Sequence, residues 1–461
     1  MDWTLIPDLS GSGGAEFQSS GAFQAEITPG NVRTNYKVRA TSKDNPSFYD
    51  EVNLQVWKID IVETNIYIAI SNTVSLHLTP DSSADAQWAV IPSVQDGANI
   101  QGSSVGTSIV INAGSIPTNY MVKAYAPDFF NCYDTCSVTV LKASLIQMGF
   151  DCTDTNKEVT LRKTGTGSYT NATYSSEGDT TITNPVWLDQ NFDHIPDVNP
   201  PDPVCFLPGA IPKIAGTVSK LSIQPDIGNS TLSCKLKIEA IPQGAAGTVA
   251  TITFGPVDLV FSNSTVDLPE IIAAGNETVG SVVNNFGYEM HWKLSTDGGA
   301  TWSYEFETMT QFVFVVYDKP QTNYCSNIIG WSLPYSWSSL AWTAKRMDWA
   351  TKQGMGENTD DGMAMKVAEA IYNNPGTPLD THDPDTYYLN PFIQLDTPDP
   401  DHVKMCHRGD CISLANLAAT ALRLLGINAC PCRAYCNNSN DVANSETWGW
   451  AGRYTHPVHA S

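Results

Sequence analysis

At 461 residues, with a formal net charge of −23, 42% hydrophobic and 16% charged residues, the chain has room for three or four domains, each with its own core. So acidic a surface repels nucleic-acid phosphates, and no apolar run of about 18 residues, the length a membrane helix needs, occurs in it. The composition, rich in strand and turn residues, suits a solubilised surface or secreted protein.

In chain order, the first signal is an internal repeat. Residues 27–56 align without a gap to 111–140, with eleven of thirty positions identical. Ile27-Thr-Pro-Gly30 answers Ile111-Asn-Ala-Gly114, Thr34-Asn-Tyr36 answers Thr118-Asn-Tyr120, and Tyr49-Asp50 answers Tyr133-Asp134. Trp3-Thr-Leu-Ile-Pro7 answers Trp88-Ala-Val-Ile-Pro92 one residue out of step. Alternating apolar residues (Tyr36, Val38, Ala40; Leu54, Val56) at this period predict tandem β-sandwiches. The repeats resemble bacterial immunoglobulin-like surface modules, a partial one at 1–57 and a second at 58–141. Repeat 2 has strands at Ile66–Ile70 and Val74–Leu78 ahead of its Trp-x-x-Ile-Pro block, and repeat 1 has no room for them, so Met1 is expected not to begin a natural domain.

Residues 142–320 read as a further β-rich region, with alternating runs at Ala215–Ile223, Ser233–Ile238, Val249–Phe254 and Thr310–Tyr317. Met290–Leu294, Asp297-Gly-Gly299 and Ala300-Thr-Trp302 form a hairpin signal. His291 and His77 read as strand-face residues. Cys205 and Cys234 are a candidate disulfide.

One loop carries chemistry. Trp187-Leu-Asp189-Gln-Asn191-Phe-Asp193-His-Ile195-Pro-Asp197 sets oxygen side chains at alternate positions, with a backbone carbonyl at Ile195. Ca²⁺ takes six to eight hard oxygens, and alternate ligands on a short loop supply them. The run resembles calcium loops of the Asp-x-Asp-x-Asp-Gly-Ile-Pro-Asp type in extracellular stalk proteins. It departs from them at His194, where glycine permits the turn, and at Pro200, where an EF-hand has its bidentate Glu; Asp202 could stand in. The competing reading is a solvated, proline-rich acidic linker.

The last region, 321–461, has helical runs at Leu340–Ala350 and Asp361–Tyr372, the first packing tryptophans. Then comes Arg408-Gly-Asp-Cys411 and an apolar stripe through Ile412, Leu414, Ala415, Ala418, Ala419, Leu422 and Leu425, stopped by Gly426. A thiol in the first turn of a helix, with Asp410 as N-cap, is favoured as thiolate by the dipole and free N–H groups. A buried core cysteine is the plain alternative. Cys411, its helix, Gly426-Ile427 and Arg433-Ala-Tyr435 resemble the transglutaminase-like core. That resemblance implies an α+β domain and a Cys-His-Asp triad for acyl transfer from an amide, with no cofactor needed for catalysis. Cys411 would be the nucleophile and His459, with His456 as runner-up, the base; the orienting acid would lie past Ser461. The cluster of Cys430, Cys432 and Cys436 lacks the paired CxxC knuckles of structural zinc.

The fold expected is therefore multidomain and mainly β: tandem immunoglobulin-like sandwiches, a further β region, and a C-terminal transglutaminase-like domain, cut at both ends. The function expected is acyl transfer or hydrolysis on a protein or peptide substrate, outside the cell or on its surface, with structural Ca²⁺ as the one metal. The alternative is a non-catalytic adhesive or structural surface protein with a degenerate transglutaminase-like cap.

Overall fold

The computed structural model describes residues 1–161, 181–320 and 344–373 apart from short stretches within them, together with 418, 421–431 and 452–454. Over these residues the chain is mainly β. Four hydrophobic clusters organise it.

The first cluster joins a three-stranded sheet (Asp2–Ile6, Thr34–Thr41, Tyr49–Val56) to the hairpin Glu16–Ser20 and Ala25–Thr28. The second, centred on Trp88, Ile111, Tyr120 and Val138, is larger and better sealed. Its strand Asn119–Ala126 buries Tyr120, Val122, Ala124 and Ala126 on alternate positions, the period-two pattern of a strand with one face inward. The repeat read from sequence holds in detail. Tyr36 and Tyr120 are buried at 1% and 2% exposure, and Gly14 and Gly97 leave the space that each tyrosine hydroxyl occupies.

A strand of 24 residues, Phe129–Cys152, then runs out of the second sandwich and into the next. Its first part pairs antiparallel with Asn119–Ala126 and, at Ser137–Leu141, parallel with Asn65–Ala69. From Lys142 onward its antiparallel partner is Pro212–Gln224. No turn or proline interrupts it where the repeat period places a boundary, between Leu141 and Lys142. The Ala143 N–H donates to the hydroxyl of the buried Tyr304 at 2.8 Å, and Ser303 and Asn72 lie 3.2 Å apart across the same junction.

The third sandwich closes this strand's sheet against five strands in the order Val204–Phe206, Glu305–Val315, Asn284–Ser295, Leu232–Gln243, Ile252–Phe261. Phe150 meets Phe254 edge-on at 6.1 Å, among Trp187, Phe206, Tyr288 and Trp292. The hairpin signal is correct in place, but the loop is longer than the tight turn expected, because the second strand starts only at Glu305. Asp297 organises that loop. Burial pushes its carboxyl up, yet hydrogen bonds from Ser295 and Thr301 outweigh this and hold it at about 2.

The candidate disulfide is corrected: Cys205 and Cys234 are both free and buried. Their strands stand three positions apart in the five-stranded sheet, about 14 Å at 4.8 Å per strand, whereas a bridge needs Cα atoms within about 7 Å. The two side chains also serve different clusters, on opposite faces.

The outer face of that sheet carries the fourth cluster. Cys205, Val283, Phe314 and Val316 pack against helix Ala344–Gly354 (through Met347 and Ala350), helix Asp360–Asn373 (through Met363 and Val367) and Leu422, Leu425 and Ile427. Among the described residues no helix is long and apolar enough to cross a membrane.

Candidate functional site

Cys411, His456 and His459 lie outside the described residues, as does Asp193. The structure does describe the seat on which the proposed nucleophile helix ends. Helix 421–424 buries Ala421, Leu422 and Leu424, and Leu425 just after it is buried too, so more apolar positions are covered than the stripe read from sequence. Gly426 follows with φ +100, as expected of the helix stop, and the chain enters strand Ala429–Pro431, paired antiparallel with Gly452–Tyr454. Glycine is required here twice over: the backbone is left-handed, and an added Cβ would lie 2.4 Å from the Asp318 carbonyl oxygen. Asp318 N–H donates to Leu425 O at 3.1 Å, which ties the end of the third sandwich to the end of this helix.

Residues that sequence reasoning passed over complete the seat. Arg423 is buried at 5% exposure, and its Nη1 donates to Ala429 O at 3.2 Å, joining helix end to strand. Burial lowers its pKa without removing its charge at neutral pH. A lone cation in the apolar run Ala418–Leu425 was the signal available for it. Asn285, at the start of a sandwich strand, donates from Nδ2 to Asp348 O (2.9 Å) and Thr351 Oγ1 (3.0 Å), clamping helix Ala344–Gly354. Nothing local in the sequence marks Asn285 for that role. Val283 adds a backbone pair, donating to Glu357 O and accepting from Gly356 N–H, both at 2.8 Å.

The candidate calcium run begins at the edge of the long strand. Trp187–Leu188 pairs with Gln147 and Met148, and Asp189 N–H donates to Ile146 O at 2.8 Å. Asp189 is 1% exposed, while Ile195 is 56% exposed. The loop returns through Asp197 N–H to Leu188 O at 2.7 Å, and Asp197 Oδ2 accepts from Gln190 N–H at 2.9 Å. One oxygen of Asp197 is therefore used in closing the loop. Among the described residues no group of three or more His, Cys, Asp or Glu side chains is gathered for a metal.

Beside this edge lies an open cleft of about 340 Å³ lined by Asp151, Glu158, Asn184, Cys205 and Phe206 among others. Asn184 donates to Asp151 at 2.6 Å and Glu158 accepts from Cys152 N–H at 3.1 Å, so these polar groups brace the wall. Every cysteine within the described sandwiches is a poor nucleophile. Burial pushes Cys136 up to about 11 and Cys152 and Cys234 up to about 12, and raises Cys132 and Cys205 as well. His291 and His77 sit on strand faces as expected, His291 Nδ1 2.9 Å from Glu305 and His77 Nδ1 2.9 Å from Glu63.

No protein-family model and no curated protein matches the chain. Among solved structures it is similar to the Escherichia coli adhesin FdeC, at 11% identity over 68% of this chain and 84% of that one, with a TM-score of 0.25. It is also similar to the Yersinia pseudotuberculosis adhesin InvE, at 8% identity over 56% and 58% of the two chains, TM-score 0.18. A third is the surface layer protein SbsC, domains 4–9, at 10% identity over 63% and 36%, TM-score 0.16.

Proposed function

We propose that the chain is an exported surface protein whose sandwiches form a stiff, non-catalytic stalk with an adhesive or structural role. One observation carries this reading: strand Phe129–Cys152 belongs to two sandwiches at once, so no hinge separates them. A shared strand transmits load through backbone hydrogen bonds, where a linker would absorb it by reorienting. The strongly acidic, Asn-, Thr- and Ser-rich composition suits such a surface. Antibodies raised against residues 58–320 are expected to label intact cells of the source organism. Labelling that appears only after lysis would refute the reading.

A second reading keeps a transglutaminase-like domain at the C-terminus, with Cys411 as nucleophile and His459 or His456 as base. The observation in its favour is the run of buried helix 421–424, left-handed Gly426 and strand Ala429–Pro431, the order that the resemblance implies. On this reading iodoacetamide below pH 7 modifies Cys411 ahead of every other thiol, and Cys411→Ala abolishes the fast phase. Uniformly slow alkylation would leave the stalk reading alone. Calcium at Asp189, Asn191, Asp193, Ile195 and Asp197 belongs to either reading. Titration with Ca²⁺ that leaves the melting temperature unmoved would remove it.

A further inference from the structure

Lys123 is the only lysine or arginine between residues 59 and 141, a stretch that also holds seven acidic residues. It stands on strand Asn119–Ala126, whose Tyr120, Val122 and Ala124 fill the second core. Met121, Lys123 and Tyr125 therefore share the outer face, successive members about 6.8 Å apart along the strand. Register sets Ile91 beside Met121, Thr135 beside Lys123 and Tyr133 beside Tyr125. Met121 is 42% exposed, Ile91 41% and Tyr133 53%. The Lys123 ammonium lies 3.9 Å from the centre of the Tyr133 ring and 5.7 Å from that of Tyr125.

The first repeat shows what such a cation holds. Arg39, the counterpart of Lys123, lies over Tyr49, the counterpart of Tyr133, at 4.5 Å. There the module supplies its own carboxylate: Glu51 Oε1 accepts from Arg39 Nε at 2.7 Å, and Oε2 from Lys37 Nζ at 3.2 Å. In the second repeat Thr135 replaces Glu51, and Met121 replaces Lys37. Among the described residues Lys123 has no carboxylate partner. Asp134, across from Ala124, is committed elsewhere, accepting Ile61 N–H at 2.8 Å and Thr135 N–H at 2.7 Å. The second repeat keeps the cation and the ring, loses the internal anion, and gains an apolar surround.

We propose that this face docks a protein segment presenting a carboxylate between two apolar side chains. The carboxylate takes on Lys123 the place that Glu51 holds on Arg39. The apolar side chains, two residues to either side on an extended segment, cover Met121 with Ile91, and Tyr125 with Tyr133. Tyrosine and methionine are enriched where proteins meet. A uronic-acid sugar, the other common carrier of carboxylates, would set hydroxyl groups against Met121 and Ile91. Charges beyond about 8 Å are largely screened at physiological salt, so the chain's overall acidity does not keep such a segment from Lys123. The inference stands whether or not the chain is a surface stalk.

The test titrates the full chain into a fluorescent, amidated peptide, Leu-Ser-Glu-Ser-Leu, whose one carboxylate is the glutamate, and follows its anisotropy. Saturable binding is expected. It should weaken about fivefold, the size a partly exposed ion pair contributes, when the peptide carries Gln for Glu or the chain carries Lys123→Gln. Met121→Ser should weaken it too, which a bare charge contact would not. Arg39→Gln is the control and should change nothing, because Glu51 already occupies that cation. All three substitutions lie on outer faces and should leave the circular dichroism unchanged. The proposal is overturned by no saturation, by equal binding of the Glu and Gln peptides, by full binding to the Lys123→Gln chain, or by loss in the Arg39→Gln chain. It is also overturned if a glucuronate oligosaccharide displaces the peptide at lower concentration than unlabelled peptide does, which would make the partner a sugar. A dimer of the chain that excludes the peptide would overturn it as well, by making a second copy the occupant.

Discussion

Gly426→Ala tests the docking of the C-terminal helices on the third sandwich. A non-glycine residue in the left-handed region costs about 1–2 kcal/mol. At Gly426 the added Cβ also meets the Asp318 carbonyl oxygen at 2.4 Å and its carbon at 2.5 Å, both backbone atoms that cannot rotate aside. Separating them breaks the Asp318 N–H to Leu425 O bond, worth about 1 kcal/mol net, and loosens the packing of Leu425, which is 0% exposed. The sum is about 3–4 kcal/mol. Gly244→Ala is the control, because Gly244 has φ +77 and nothing within 4 Å of an added Cβ, leaving only the conformational cost. At roughly 2–4 °C per kcal/mol, calorimetry should place the Gly426 variant several degrees below the Gly244 variant. Equal losses for the two would refute the claim that helix end and sandwich end share a packed seat.

Three further outcomes follow from other parts of the chain. Tyr304→Phe leaves the Ala143 N–H without its buried acceptor and should cost about 1–2 kcal/mol, read from urea midpoints, whereas Tyr133→Phe on the surface, which keeps its ring over Lys123, should cost nothing measurable. Glu239, bonded first by Lys293 and then by Lys237, titrates at about 2 rather than 4.5. Its folded value is depressed, so its contribution is complete above about 4.5 and is lost as pH falls toward 2. Glu239→Gln should flatten that part of the stability profile. Cys136, Cys152, Cys205 and Cys234 should be silent to a disulfide reagent at pH 8 in the native chain and react fully on unfolding; rapid native reaction at any of them would contradict their burial.

What the sequence made legible was what repeats or alternates. Trp3 and Trp88, Tyr36 and Tyr120, and Asp50 and Asp134 announced two copies of one module, and period-two patterns located the strands that bury them. Gly426 was legible because a helix that stops needs a residue free to turn left-handed. Harder to read was everything decided by contacts distant in sequence. Asn285 looks like any polar strand residue until Asp348 and Thr351 arrive from 63 and 66 residues away. Cys205 and Cys234 looked pairable because spacing along the chain carries no information about which face of a sheet a residue takes. The exposed Val52 could not be distinguished from a core position, because its place in the repeat is that of the buried Cys136.

The junction at Leu141 and Lys142 shows the same limit and has the larger consequence. Repeat arithmetic ends a module there, yet Val138-Thr-Val-Leu-Lys-Ala-Ser-Leu145 offers no Gly, Pro or Asn at which a strand could stop. The chain therefore continues as one strand, and the core of each sandwich reaches the other, with Ile70 packed against both clusters. Unfolding either sandwich would strip half of this strand's partners, so the two should melt together. Inserting Gly-Ser-Gly-Ser between Leu141 and Lys142 removes the shared strand without touching either core. The single calorimetric transition expected of residues 58–320 should then divide in two, whereas two transitions in the uninterrupted chain would show that the strand passes no load between the sandwiches.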